Sequence, residues 1–215
     1  VLLAAPGRLH LVAPTVIVDG TGDADVAAHA GAPTTYGRAS DGVSHQYSQS
    51  ASRFASDKLT MHNFDAGYVD PRDVSDLTRG RRHALQLYWR DTFTAEGRPF
   101  NLSYLLGLRQ SRHIVGDYTL TLADQVANRH FDDVVVFTRG HQDNHAYDYE
   151  NEDDEALLWV WGLGFWQRSM PHELPYRCLT PQGLSNLLVA CRAVSVNREA
   201  HMLFRMIRDM YRVGE

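Results

Sequence analysis

Residues 15–18, Thr-Val-Ile-Val, form an uninterrupted run of β-branched side chains that ends on Asp19 and then on two glycines, Gly20 and Gly22. Branching at Cβ favours the pleated backbone. A strand with no polar alternation suits burial on both faces. The run therefore calls for a layered arrangement of helices over a sheet. The two glycines permit a tight turn and close approach of a ligand to the backbone. Asp23 is expected to cap a helix over 24–30, with Asp25 in its first turn and Gly31 and Pro33 as the stop. Near the other end, Leu187 to Ala190 reads as a second strand, followed by one helix from about Arg198 to Arg212.

Between these units the pattern is mixed. Residues 34–58 are rich in Ser, Thr, Gly and Gln, and read as loops with short strands. Val69-Asp70-Pro71 reads as a turn. Ser75 or Asp76 is expected to cap a helix to about Thr92, with Leu77, Ala84, Leu85, Tyr88 and Trp89 at helical spacing. Gly97-Arg98-Pro99 ends that region. Residues 111–120 read as a strand or a bent pair. Thr121 is expected to cap a short helix with Asp124 at its third position. Val134-Val135-Val136-Phe137 reads as a buried strand, residues 140–155 as an acidic surface loop, and Trp159, Trp161, Phe165 and Trp166 as an aromatic cluster.

Charge and cysteine content narrow the classes. A net charge of -5 argues against a nucleic-acid surface. Cys178 and Cys191 form no C-x-x-C pair, which argues against a disulfide framework or a zinc ribbon. No run reaches the length of a membrane span, so neither a nucleic-acid nor a membrane partner is expected and the compartment is taken as cytoplasmic. The first residue is not Met and the last residues still read as helix, as in a segment of a longer protein.

Chemistry-bearing residues fall into three groups. Arg109, Arg112 and His113 cluster in the middle segment. Arginine can clamp a carboxylate through two hydrogen bonds, and histidine can move a proton. The plainer alternative is an ion-pair network with Asp117 and other acids, since neighbours along a strand point to opposite faces. His201 and Arg205, four apart, would share a helix face. His141, Asp143, His145, Asp148 and Glu150 are the one grouping with metal-ligand residue types. Its spacing matches no metal motif and an acidic solvated loop is the plainer alternative, so no metal is expected.

Three segments resemble one family. Val18-Asp19-Gly20-Thr21-Gly22-Asp23-Ala24-Asp25-Val26-Ala27, the run from Gly107 to Leu120 (Gly-Leu-Arg-Gln-Ser-Arg-His-Ile-Val-Gly-Asp-Tyr-Thr-Leu), and the run from Pro175 to Ala190 (Pro-Tyr-Arg-Cys-Leu-Thr-Pro-Gln-Gly-Leu-Ser-Asn-Leu-Leu-Val-Ala) are similar to segments of the bacterial FAD-dependent oxidoreductases among the glutathione-reductase-like flavoproteins. The resemblance implies an α/β (α+β mixed) fold, with a partial FAD-binding Rossmann-type domain interrupted by a substrate domain. Residues 1–40 and 175–215 would belong to the FAD side and 41–174 to the substrate or cap side. It also implies FAD as cofactor, with Thr21, Gly22, Asp23, Arg192 and Ser195 near it. The catalytic residues are not fixed by it; by residue type the candidates are Arg109, Arg112, His113 and His201. Cys191 stands where many members have glycine.

No G-x-G-x-x-G fingerprint, which normally holds a dinucleotide's pyrophosphate, occurs in the 215 residues. The implied enzyme oxidises a small organic substrate and needs an N-terminal FAD-binding half or a partner chain that carries the fingerprint. Two alternatives remain at this stage. One is a non-catalytic subunit that packs on such a partner, and the other is a metal-dependent hydrolase using residues 141–150. Strands 16–18 and 187–190, left with free edges and apolar faces, also lead to an expectation of oligomers.

Overall fold

The computed structural model describes residues 1–38, 40–55, 58–92, 99–104, 107–143, 154–165 and 168–215, with backbone alone for 44–47, 53–55, 64, 66, 88–92 and 99–101. Elements follow in the order β1 (Leu2–Ala5), β2 (Arg8–Leu11), β3 (Ile17–Asp19), α1 (Asp25–His29), β4 (Thr34–Tyr36), β5 (Ser44–Ala55), β6 (Lys58–Val69) and α2 (Val74–Thr92). Next come β7 (Pro99–Leu102), β8 (Gly107–Leu108), β9 (Arg112–Ile114), α3 (Leu122–Val126) and β10 (Val134–His141). The chain closes with β11 (Ser169–Pro175), β12 (Leu187–Val189), α4 (Arg198–His201) and α5 (Ile207–Gly214). This is a mixed α/β fold of small sheets and several helices.

The two strands read from the ends of the chain pair in parallel. Ile17 lies opposite Leu187 and Asp19 opposite Val189. Their cover is incomplete, contrary to the expectation of burial on both faces: Val18 is 59 % exposed while Asp19 and Val189 are buried. One face of the pair packs into a core that also takes Ile114, Leu120, Val136, Leu174 and Phe204. On the other face Val18 is left exposed, while its partner Leu188 is partly buried against the core.

The polar stretch read as loops is instead a long antiparallel hairpin. β5 pairs with β6 from Ser44↔Val69 to Ala55↔Lys58, and its other edge takes β7 and β8. Composition misleads here because the hairpin rests on backbone ladders; among the described residues it packs α2 through a small cluster around Val69 and Ala84, with Leu77 and Leu108 against it. Helix α2 begins earlier than expected. Asp73 accepts the Ser75 N–H at 2.8 Å, and Asp76 turns back to accept the Asp70 N–H at 2.7 Å.

β10 alternates rather than being buried throughout. Val136, Thr138 and Gly140 point inward while Val134, Val135 and Phe137 are exposed, because β10 and β11 form a two-stranded ribbon with one face on the core. Thr121 and Asp124 make the expected capping box at α3. Residues 156–162 form a π-helical run, and Trp159 meets Phe165 edge to face at 5.7 Å; Trp166 lies outside the described residues.

The single helix expected over 198–212 is broken into α4 and α5. Residues 200–204, Ala-His-Met-Leu-Phe, are all buried, Leu203 in one apolar cluster and Phe204 in another. A continuous helix would turn one of these neighbours to solvent every few residues. Burial of the whole run overrides the helical period, and Met206 adopts extended backbone before α5 starts.

Candidate functional site

The carboxyl ends of the β3–β12 pair bring two loops together. The loop after β3 is organised by Asp19. Its buried carboxylate accepts the Thr21 N–H at 2.9 Å, the Thr21 hydroxyl at 2.7 Å and the Ala27 N–H of α1 at 2.9 Å. Thr21 Oγ1 in turn accepts the Asp25 N–H at 2.8 Å. The expected cap is thereby displaced. Ala24, in left-handed backbone at φ 52°, precedes α1, and Thr21 caps it in place of Asp23. Gly22 needs its freedom, at φ 91°, and a Cβ on either Gly20 or Gly22 would meet nothing within 4 Å. This turn is thus open to close approach along its glycine face.

The loop after β12 closes over the turn from the other side. Arg192 Nη2 donates to Asp23 Oδ1 at 2.6 Å across 169 residues of sequence, and the Ser111 hydroxyl donates to the same oxygen. Burial pushes the Asp23 carboxyl up, but the hydrogen bonds from Ser111 and Arg192 and the charges of Arg192 and Arg112 outweigh it and hold it below the usual carboxylate range. Cys191 lies buried against the turn. Burial raises its thiol, opposed by the nearby backbone amides of Ala193, Ala24 and Gly22. The thiol therefore lies among amides of the turn itself.

Below the ion pair sit two buried histidines. His113 and His201 meet edge to face with ring centroids 4.7 Å apart. His113 Nδ1 lies 3.2 Å from the Val194 carbonyl, and its Nε2 lies 3.4 Å from Gln110 Nε2. Burial pushes the His113 imidazole down to about 4. His201 is lowered well below the ordinary range, first by burial and then by His113, Arg205 and Arg192, and neither of its ring nitrogens has a partner among the described residues.

The remaining sequence candidates go to different places. Arg112 points away from its neighbour His113, to Asp25 at 3.3 Å on the surface. Arg109 donates from Nε to the Ser48 hydroxyl at 2.9 Å and lies 3.3 Å from Asp65 and 3.7 Å from Asp143. The acids paired with these arginines are thus Asp25, Asp65 and Asp143, while Asp117 accepts the Thr180 hydroxyl. Ser195 is wholly interior, accepting the Gly116 N–H at 2.9 Å and sharing a hydrogen bond with Thr119. Arg205, which sequence reasoning treated as a mere helix neighbour of His201, is largely buried on Asp143.

His145, Asp148 and Glu150 lie outside the described residues. Among the described residues no group of three or more His, Cys, Asp or Glu is placed to hold a metal ion. Asp143 is held by Arg109 and Arg205. No helix among them is long and apolar enough to cross a membrane.

Parallel strands whose carboxyl ends carry a glycine turn running into a helix are the arrangement at which α/β proteins bind nucleotide cofactors. The profile of one family, FAD dependent oxidoreductase, matches residues 60–215, and the chain belongs to that family. It is a flavoprotein oxidoreductase, and its cofactor is FAD. Searches of curated proteins and of solved structures returned no match. The residues at the turn fit such a group: two glycines with open Cα faces, a half-exposed Arg192–Asp23 pair beside them, and a buried imidazole beneath with unpartnered nitrogens.

Proposed function

We propose that this chain supplies the substrate side and part of the flavin site of an oxidoreductase that takes hydride from a small organic substrate. When bound, FAD supplies the hydride acceptor. The observation that carries the reading is the joining of the two strand-end loops by Arg192 and Asp23 directly over the His113–His201 pair. Gly20 and Gly22 admit the cofactor to the backbone, and Arg192, oriented by Asp23, offers positive charge where reduction would develop negative charge. His113 and His201, held neutral by burial, are groups that can accept a proton as substrate is oxidised. Thr21 acts by holding the turn rather than by facing a ligand, and Ser195 acts from the interior.

In this reading residues 1–40 and 175–215 form the FAD side and 41–174 the substrate side, within the glutathione-reductase-like flavoproteins of bacterial type. The parallel pairing of β3 with β12 supports the first grouping. A unit carrying G-x-G-x-x-G, on another segment or another chain, completes the pyrophosphate site. Val16, Val18, Leu9 and Leu11, all exposed, give that unit an apolar face to cover.

Visible absorption of the purified chain, before and after FAD and through gel filtration, tests the reading. Gly20→Val is the informative variant, because its Cβ meets nothing in the fold yet fills the face left for the cofactor. Flavin retained by the wild type, alone or with the completing unit, and lost in Gly20→Val is the expected result. Equal retention by a folded Gly20→Val chain refutes this placement of the cofactor.

A further inference from the structure

The interior beneath the flavin-side turn holds hydrogen-bonding groups that nothing among the described residues answers. His201 is fully buried, and both its ring nitrogens lack partners among the described residues. The Nε–H groups of Arg192 and Arg205 are likewise buried and unpartnered. All three belong to one neighbourhood: the Arg205 backbone N–H donates to the His201 carbonyl at 3.1 Å, Arg192 donates to the Leu108 carbonyl beside Arg109, and Arg109 shares Asp143 with Arg205. Leaving such groups dry and unanswered is costly, and native interiors avoid it.

The neighbours are already matched in charge. Arg205 lies on Asp143, Arg192 on Asp23, and Arg109 between Asp65 and Asp143. Three guanidiniums thus face three carboxylates and use their terminal nitrogens to do so. The groups left over are two charged N–H donors and one imidazole. An acceptor with two oxygens answers the two donors, as a carboxylate does.

We propose that Arg205, Arg192 and His201 form the subsite for the carboxylate of a small organic acid, and that its binding brings one proton onto His201. The proposal rests on the oxidoreductase reading above and gives it a substrate class. The proton follows from charge balance, because an anion added to a matched cluster needs a new positive charge beside it. The groups facing His201 are His113 beside Gln110, Arg192 after β12, and Arg205 after α4, with Asp23, Arg109 and Asp143 one contact further out. Of these, His201 and His113 are the imidazoles, and the His113 Nδ1 already faces the Val194 carbonyl. Without the anion His201 is neutral. With it the imidazolium is stabilised, so affinity rises as pH falls.

Calorimetric titration of the purified chain with glycolate, in two cationic buffers of different ionisation enthalpy, reads the proton directly. Glycolamide is the neutral control. The expected result is uptake approaching one proton per glycolate, no comparable binding of glycolamide, and affinity rising towards tenfold per pH unit below neutrality. Arg205→Gln is expected to weaken glycolate at least about tenfold, and His201→Gln to abolish the uptake. Binding without uptake, equal binding of glycolamide, or no binding at all overturns the subsite and leaves internal water as the answer to these groups. The wild-type uptake decides the matter even where a variant fails to fold. Flavin absorbance read on the same sample separates the two readings. A chain that holds FAD and ignores glycolate loses this proposal alone, and one that takes glycolate with a proton but no FAD loses the cofactor placement alone.

Discussion

Replacing Asp19 by alanine should disassemble the turn on which the site rests. The carboxylate accepts two backbone N–H groups, from Thr21 and Ala27, and one hydroxyl, at 2.7–2.9 Å, and is 1 % exposed. Alanine leaves the two backbone donors buried without an acceptor, at about 1–3 kcal/mol each, so the loss is about 2–6 kcal/mol. Asp19→Asn keeps one acceptor oxygen and should lose roughly half of that. In a domain of this length each kcal/mol moves the midpoint by about 2–4 °C, so Asp19→Ala should melt roughly 4–24 °C lower. The half-exposed Asp25, paired with Arg112 on the surface, is the control, and Asp25→Asn should cost below about 1 kcal/mol. Urea unfolding followed by circular dichroism gives the three values. An Asp19→Ala chain within about 0.5 kcal/mol of wild type would show that the carboxylate does not organise the turn.

Other perturbations test the packing, the titration and the exposed surface. A Cβ at Gly140 would sit 2.4 Å from the Leu203 carbonyl oxygen, so Gly140→Ala should destabilise by about 1–3 kcal/mol or more, and a melt equal to wild type would contradict that close approach. Burial holds the folded His113 near 4 against about 6.5 unfolded. Stability should be full above pH 6.5 and fall on acidification towards pH 4, by about 1.4 kcal/mol per pH unit for this group, with His201 and His172 acting in the same direction. His113→Gln should flatten that slope by one proton in urea midpoints measured against pH, and an unchanged slope would remove His113 as its source. Leu11→Glu with Val18→Glu should raise the monomer fraction on gel filtration, since both sites are exposed and apolar; unchanged elution would mean that this face does not drive association.

Part of the site was legible in the sequence. The strand before Gly20, the strand before Cys191 and the Thr121–Asp124 capping box follow from residue types a few positions apart, and all are present. Arg112 and His113 separate onto opposite faces, as strand alternation requires. The partners of Asp23 and Asp19 were not legible. Asp23 had the residue type of a helix cap, but Thr21 and Asp19 took that role and freed Asp23 for Arg192. Cys191, marked in the sequence only through the family resemblance, is set by the fold beside the amides of Gly22 and Ala24.

What the sequence alone determined is local: where β-branched runs make strands, where glycine allows a left-handed turn, and where a Thr and an Asp cap a helix. Such effects act through sterics and hydrogen bonds over three or four residues, so they need no knowledge of the rest of the chain. Tertiary structure decided the long hairpin of β5 and β6, built from polar strands whose ladders require each other. It also broke the last helix, because residues 200–204 are buried whatever their helical phase. It alone brought His113 against His201 and Arg192 against Asp23, contacts between residues 88 and 169 positions apart. Burial and charge pairing depend on which distant segments arrive together, and no local pattern carries that information.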